Sequence, residues 1–97
     1  MEIMELRPVG LRKPYSAEVL RISHTWGIYR SPVNRRKWYV LHMRTHLRLG
    51  WFTKMRARTF AETLCEELPS YGLPGENSDN DKKLIGLYRN VKQQLAS

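Results

Sequence analysis

The chain has 97 residues, which is enough for one domain but not for two that each bury a core. Hydrophobic residues form 41% of it, a share that allows a modest core and excludes wholesale disorder. The formal net charge is +8, and the single cysteine, Cys65, excludes an internal disulfide and a metal cluster built from several cysteines. We therefore expect one domain over residues 1–97.

Residues 1–16 are predicted to form an N-terminal arm, because Pro8, Gly10 and Pro14 interrupt every regular pattern there. The arm is either an extended edge strand or a tail that becomes ordered on binding, and the pattern leaves both open. Its early acidic residues and its lack of an apolar block argue against a signal peptide. No stretch approaches the roughly 18–20 apolar residues of a membrane span. We therefore expect a cytoplasmic protein without a membrane partner.

Between residues 17 and 53 apolar and polar side chains alternate, which predicts about three antiparallel strands. The clearest pair is a hairpin over residues 26–45, with the turn-forming run SPVNRR between its strands. A short third strand is expected over residues 49–53, where Gly50 marks a bulge or a close approach of the backbone. In the second strand, the residues of one face are Tyr39, Leu41 and Met43, and those of the other are Trp38, Val40, His42 and Arg44.

At Thr53 the apolar period changes to 3.6, which predicts a helix over residues 54–68 with Thr53 as its N-cap. Residues 69–78 have the composition of a linker, and a second helix is expected over residues 79–96. The apolar stripe of the first helix is Ala57, Phe60, Ala61, Leu64, Cys65 and Leu68, and that of the second is Leu84, Leu87, Tyr88, Val91 and Leu95.

Strands followed by helices predict an α+β fold, in which both helices pack on one face of the small antiparallel sheet. The opposite face of the sheet would then be exposed. By the alternation above it would carry Trp38, His42 and Arg44, unless the N-terminal arm covers it.

The charge is unevenly distributed along the chain. Residues 1–60 carry thirteen Lys or Arg against three acidic residues, whereas residues 61–97 carry four against six. Between Val19 and Ala61 there is no acidic residue in 43 positions, and this window holds ten Lys or Arg and all three tryptophans. A surface of one sign repels itself, which favours a partner of the opposite sign. The interleaved aromatic rings either stack on bases or belong to the core.

Nine side chains of this window are predicted to contact nucleic acid. The cations of residues 35–37 lie in the hairpin loop, from which a sheet often reaches a groove. Lys54 and Arg56 lie at the helix start, where a cation is unfavourable by roughly 0.3–1 kcal/mol and a phosphate is favourable. Trp38 is the tryptophan expected to stack on a base. The full set is Arg30, Arg35, Arg36, Lys37, Trp38, Arg44, Arg48, Lys54 and Arg56.

Three histidines, His24, His42 and His46, raise two further hypotheses. A metal site is not expected, because the window lacks carboxylates and His42 and His46 on one strand would lie about 13 Å apart. No cofactor is expected either. A metal-free ribonuclease would use histidine as acid and base and arginine to hold the phosphate, although no spacing here is diagnostic of that chemistry.

The runs WGIY (26–29), KWYV (37–40) and GWFT (50–53), followed by a helix with Ala57 and Ala61, resemble a family pattern. It is that of the three-strand-plus-helix DNA-binding modules found at the N-termini of tyrosine recombinases and in plant AP2-type domains. The resemblance covers residues 24–68. It implies a sheet that enters the major groove with the helix packed behind it, and no recombinase activity. It also implies that the side chains facing DNA are Arg30, Lys37, Arg44 and Arg48.

The sequence therefore favours a small basic protein that binds nucleic acid, DNA or RNA, without catalysis, as a regulator or an accessory factor of a mobile element. The alternative is a protein-interaction module or inhibitor whose basic face docks on an acidic protein. A small metal-independent ribonuclease is the second alternative. The oligomeric state is left open.

Overall fold

The computed structural model describes residues 2–7 and 13–96, and it contains five strands followed by two helices. The strands form one antiparallel sheet in which the spatial order follows the chain order. The elements are β1 (Glu2–Leu6), β2 (Tyr15–Arg21), β3 (Trp26–Arg30), β4 (Trp38–His42), β5 (Arg48–Phe52), α1 (Lys54–Glu67) and α2 (Ser78–Ala96). The predicted α+β class, with an antiparallel sheet and two helices, is confirmed, and the predicted number of about three strands was too low.

β1 lies in the segment that was predicted to be an arm, whereas β2 only begins there and continues to Arg21, among residues that were predicted to form strands. β1 pairs with β2 from Glu2↔Val19 to Leu6↔Tyr15, and the carboxylate of Glu2 accepts a hydrogen bond from Arg21 at 2.6 Å. The sequence signal was weak because β1 has only five residues and is followed closely by prolines. Of the arm residues considered above, Pro8 and Gly10 lie outside the described part of the chain.

Helix α1 begins where the change of period predicted it. The Thr53 side chain accepts a hydrogen bond from the Arg56 backbone at 3.3 Å, which satisfies one of the amide groups that a helix start leaves without a partner. Its buried stripe faces β3, β4 and β5 and consists of Ala57, Phe60, Ala61 and Leu64. Neither helix, within the residues described, has the length and apolar character that crossing a bilayer would require.

Both faces of the sheet are buried, which corrects the expected exposed face. Trp38 and His42 were expected to be exposed, but their side chains are only 6% and 0% exposed, on the face that the helices cover. The predicted alternation along β4 is correct, since Tyr39, Leu41 and Met43 do lie on the other face. That face is buried as well, so the pattern could not decide which side faces the helices. Arg44 lies beyond the end of β4 and is exposed.

The second face of the sheet is covered by β1 and the first half of β2. β2 pairs with β3 only from Val19 to Arg21, so its earlier residues extend past β3. They fold across the sheet, because the hydroxyl groups of Tyr15 and Tyr29 lie 2.6 Å apart and the amide of Arg7 donates to His46 Nδ1 at 3.0 Å. A second hydrophobic core therefore lies between these strands and the sheet, and it consists of Leu6, Val19, Tyr29, Tyr39, Leu41 and Met43.

The segment between the helices is attached to the sheet. The indole Nε1–H of Trp26 donates to the Leu68 carbonyl at 2.9 Å, and the Thr25 hydroxyl donates to the Pro69 carbonyl at 2.5 Å. Tyr71 is buried, with its ring centre 5.7 Å from that of Trp26. The C-terminal end of α1 is thus fixed against the start of β3.

Helix α2 covers the outer edge of β5. The Tyr88 hydroxyl donates to the Gly50 carbonyl, and the Lys92 ammonium donates to the Trp51 carbonyl at 3.1 Å. An edge strand leaves such carbonyls without a strand partner, so these side chains supply the missing donors. The apolar face of α2 packs through Leu84, Leu87, Tyr88 and Val91, and the predicted Leu95 side chain lies outside the described residues.

Gly50 is both a bulge residue and a point of close approach, as predicted. The pairing with β4 shifts register between Trp38 and Val40, which leaves one extra residue on β5. A Cβ at residue 50 would lie 2.5 Å from the Tyr39 ring, closer than real Cβ contacts occur.

We predict opposite stability changes for two glycine-to-alanine substitutions. Gly50→Ala should lower the free energy of unfolding by about 1–3 kcal/mol, because the buried Tyr39 ring must move. Gly86→Ala should raise it by about 0.5–1 kcal/mol, because Gly86 lies inside α2 with open space around its Cα. Urea denaturation of both variants tests this, and a Gly50→Ala protein as stable as the parent would contradict the close contact.

Candidate nucleic-acid interface

Four of the predicted contact residues meet at one end of the sheet. Arg30 ends β3, Arg35 lies in the β3–β4 loop, Trp38 begins β4 and Lys54 begins α1, and all four line a groove of about 370 Å³. Antiparallel pairing explains their meeting, because the end of β3 and the start of β4 are neighbours and Trp38 is paired with Phe52 just before α1. The other residues that line the groove are Ser16, Ala17, Glu18, Ser31 and Pro32.

The loop that carries three of the cations is held by its own hydrogen bonds. Ser31 is buried, and its hydroxyl accepts hydrogen bonds from the amides of Val33 and Asn34, each at 3.2 Å. Its backbone amide donates to the Lys37 carbonyl at 2.8 Å. Side-chain bonds of this kind define a turn, so the cations of residues 35–37 project from a shaped loop.

Trp38 supports cations instead of offering a free ring. The Arg30 guanidinium carbon and the Lys54 ammonium each lie 5.3 Å from the centre of the Trp38 ring, a distance at which cation–π attraction operates. The Trp38 side chain is only 6% exposed, so it cannot stack on a base, which corrects the expectation from the sequence. Its role in the groove is to hold Arg30 and Lys54.

Lys92 on α2, which lies outside the acid-free window of the sequence, also reaches this end of the molecule. Its ammonium lies 4.7 Å from the ring centre of Phe52, the residue paired with Trp38. Burial, and then the positive charge of Lys37, lower the pKa of Lys92 below its usual value. Two ammonium groups are therefore held close enough to repel each other. We call this cluster the basic patch, and it consists of Arg30, Arg35, Arg36, Lys37, Lys54 and Lys92.

No cation of the basic patch has a carboxylate partner within the described residues. The ion pairs of the described residues all lie outside the basic patch, and they are Arg7–Glu5, Arg21–Glu2, Arg58–Glu62 and Lys83–Glu67. Glu18 lines the groove, but it forms no ion pair in this part of the chain. The first turn of α1 has no acidic residue either. Six cations therefore share this end with one nearby carboxylate, that of Glu18, and none of them is ion-paired in the described residues.

Three predicted contact residues, Arg44, Arg48 and Arg56, lie outside the basic patch. Arg56 is exposed on the side of α1 that faces α2, where it lines a smaller groove with Phe60 and Val91. Arg44 lies at the opposite end of β4, beside the segment from Ser70 to Asn80.

Arg48 lies on the second face of the sheet, with its guanidinium carbon 4.6 Å from the centre of the Tyr39 ring. Arg30 lies on the face that the helices cover, in register with Trp38. The expectation that Arg30, Lys37, Arg44 and Arg48 share one DNA-facing sheet surface is therefore wrong. The reason is that the two sheet faces are both covered, one by the helices and one by β1 and β2.

The histidines are not assembled into a common site. His42 is fully buried, its Nε2–H donates to the Tyr71 carbonyl at 2.8 Å, and its Nδ1 accepts from the Thr45 hydroxyl at 2.6 Å. His46 Nδ1 accepts from Arg7, and His24 is exposed in the bend before β3. No group of three metal-ligating side chains occurs in residues 2–7 and 13–96. His42 is a structural residue of the core.

We predict that His42 makes stability fall at mildly acidic pH. Burial lowers the pKa of His42 from its usual 6.5, so below that pH the unfolded chain takes up a proton that the folded chain resists. This loss is absent above about pH 6.5 and can reach about 1.4 kcal/mol per pH unit below it. Urea denaturation between about pH 7.5 and 5.5 measures it. His24→Gln, the exposed control, should keep this decline, whereas His42→Gln should be less stable at pH 7.5 and lose it. An unchanged decline in His42→Gln would assign the effect to other groups.

Comparison with protein-family models, with curated proteins and with solved structures finds no match to this chain. The resemblance to the three-strand-plus-helix DNA-binding modules therefore stays a prediction. What the basic patch does has to be inferred from its own geometry and charge.

Proposed function

We propose that the protein binds nucleic acid through the basic patch and acts by binding rather than by catalysis. One observation carries the proposal: six cations from β3, the β3–β4 loop, α1 and α2 lie at one end of the molecule, and none has an ion-pair partner in the described residues. A folded protein normally mixes both signs on its surface, because like charges repel and destabilise the compact state.

An anion at this end would remove that repulsion. The lowered pKa of Lys92 reports part of the electrostatic cost, since it arises from the charge of Lys37 as well as from burial. The start of α1 adds a further positive potential, because its dipole meets Lys54 and Arg56 and no acidic side chain. A phosphate is an anion that both features would attract.

The distribution of the cations favours a polyanion over a small anion. Arg30, Arg35 and Lys54 surround one groove, whereas Lys37 and Lys92 lie toward the edge of β5. Because Lys37 and Lys92 do not line that groove, a chain of phosphates would contact more of the cations than one phosphate bound in the groove. Arginine adds the planar donor geometry that suits phosphate oxygens.

We predict a steep salt dependence of binding to DNA or RNA. If about 5–8 phosphates are contacted, the log–log slope of affinity against salt should be roughly −5 to −7 on duplex DNA and shallower on single strands. Arg35→Ala with Arg36→Ala should flatten it by about two units. Fluorescence anisotropy with labelled oligonucleotides measures the slope. Absence of binding to both DNA and RNA at about 50 mM salt would overturn the proposal and favour an acidic protein as the partner.

We predict that Lys54→Glu with Arg56→Glu separates binding from stability. Glutamate at residue 56 would follow Thr53 at the spacing of a capping box, and acids suit the helix dipole, so the melting temperature should stay the same or rise. Affinity for an oligonucleotide should fall tenfold or more. The control is Arg44→Glu with Lys82→Glu, an equal charge change at exposed positions outside the basic patch. Equal losses of affinity in both variants would show a net-charge effect rather than a site.

A further inference from the structure

Trp51 is an unusual surface residue beside the basic patch. It is 44% exposed, whereas Trp26 and Trp38 are 0% and 6% exposed. Its Nε1–H donates to the Tyr39 hydroxyl, and the Tyr39 ring meets it edge-on, with ring centres 6.3 Å apart. The indole is therefore held in one orientation while nearly half of its side chain faces solvent. A fixed, exposed ring loses little conformational entropy when a flat ligand stacks on it.

Cations lie on both sides of Trp51 along β5. On one side Lys92 donates to the Trp51 carbonyl, and Lys92 belongs to the basic patch. On the other side Arg48 lies against the Tyr39 ring, and its guanidinium also meets the hydroxyl groups of Tyr15, at 3.5 Å, and Tyr29. Arg48 and Trp51 are three residues apart, or about 10 Å along a strand. An exposed aromatic ring thus stands between two positive groups.

We infer that the ligand of the basic patch is single-stranded nucleic acid, with one base stacked on Trp51 and the adjoining phosphates contacting Lys92 and Arg48. This inference rests on the proposed function and names its substrate class. Single strands are bound by a positively charged track combined with aromatic rings, because an unpaired base leaves its face free for stacking. In a duplex that face is already stacked on neighbouring bases.

The coverage of the sheet supports the same choice. A sheet that enters the groove of a duplex needs a free face, and here the helices cover one face and β1 with β2 covers the other. The apolar stripe of α1 is used for packing on the sheet. The edge of β5 instead presents an exposed aromatic ring between two cations, an arrangement that a flexible single strand can follow.

The test compares dT12, rU12 and a 12-base-pair duplex by anisotropy, with intrinsic fluorescence as a second measurement. We expect both single strands to bind more tightly than the duplex, and the tighter of the two identifies DNA or RNA. Because the other two tryptophans are buried, quenching of the exposed indole by dT12 or rU12 reports stacking on Trp51. This measurement needs no variant.

The Trp51 variants separate stacking from charge. Trp51→Leu should weaken single-strand binding about 5- to 100-fold at every salt concentration, with an unchanged salt slope, because stacking releases no counterions. Trp51→Phe should bind within a few-fold of the parent and lose the quenching. Ile85→Ala, which trims another half-exposed apolar side chain, is the matched control and should bind like the parent.

Two outcomes distinguish this inference from the proposed function. Equal affinity for duplex and single strands, without quenching and without an effect of Trp51→Leu, would overturn the single-strand assignment and leave nucleic-acid binding intact. Absence of binding to all three oligonucleotides at about 50 mM salt would overturn both. If Trp51→Leu fails to fold, quenching of the parent protein, and its loss in Trp51→Phe, still decide the matter.

Discussion

The structure depends on β4 being buried on both of its faces. Its alternate side chains enter two separate cores, one shared with the helices and one shared with β1 and β2. A chain of 97 residues has little apolar surface to divide in this way, so each core needs a large aromatic contribution. Trp26 and Phe60 supply it on one side, and Tyr29 and Tyr39 supply it on the other. The same division leaves neither face of β4 free to bind a ligand.

Local features of the fold could be predicted from the sequence, because they depend on near neighbours. Residues close in sequence determine the Thr53 cap and the start of α1. The close approach at Gly50 involves only the neighbouring strand β4. The choice between the two faces of β4 could not be predicted, since both carry apolar residues and only tertiary packing decides between them. β1 was underestimated for a related reason: its pairing partners lie nine to seventeen residues further along the chain, from Leu6↔Tyr15 to Glu2↔Val19.

The candidate site could also be predicted only in part. A stretch of 43 residues without an acidic side chain identified Arg30, Arg35 and Lys54, which a single groove brings together. Arg48 was grouped with them because sequence distance does not reveal which face of a sheet a side chain occupies. Lys92 was missed because it lies outside the acid-free window and reaches the patch only when α2 docks on β5. The cations of the groove could therefore be identified from composition, whereas the contribution of Lys92 is visible only in the folded structure.

The cover that α2 provides for β5 also bears on how the chain is made. β5 is synthesised before Tyr88 and Lys92, so for a time its outer carbonyls lack the donors that satisfy them in the folded protein. An uncovered strand edge beside an exposed tryptophan is a template for pairing with another chain. Docking of the last helix is therefore the step that protects the nascent protein from intermolecular strand pairing.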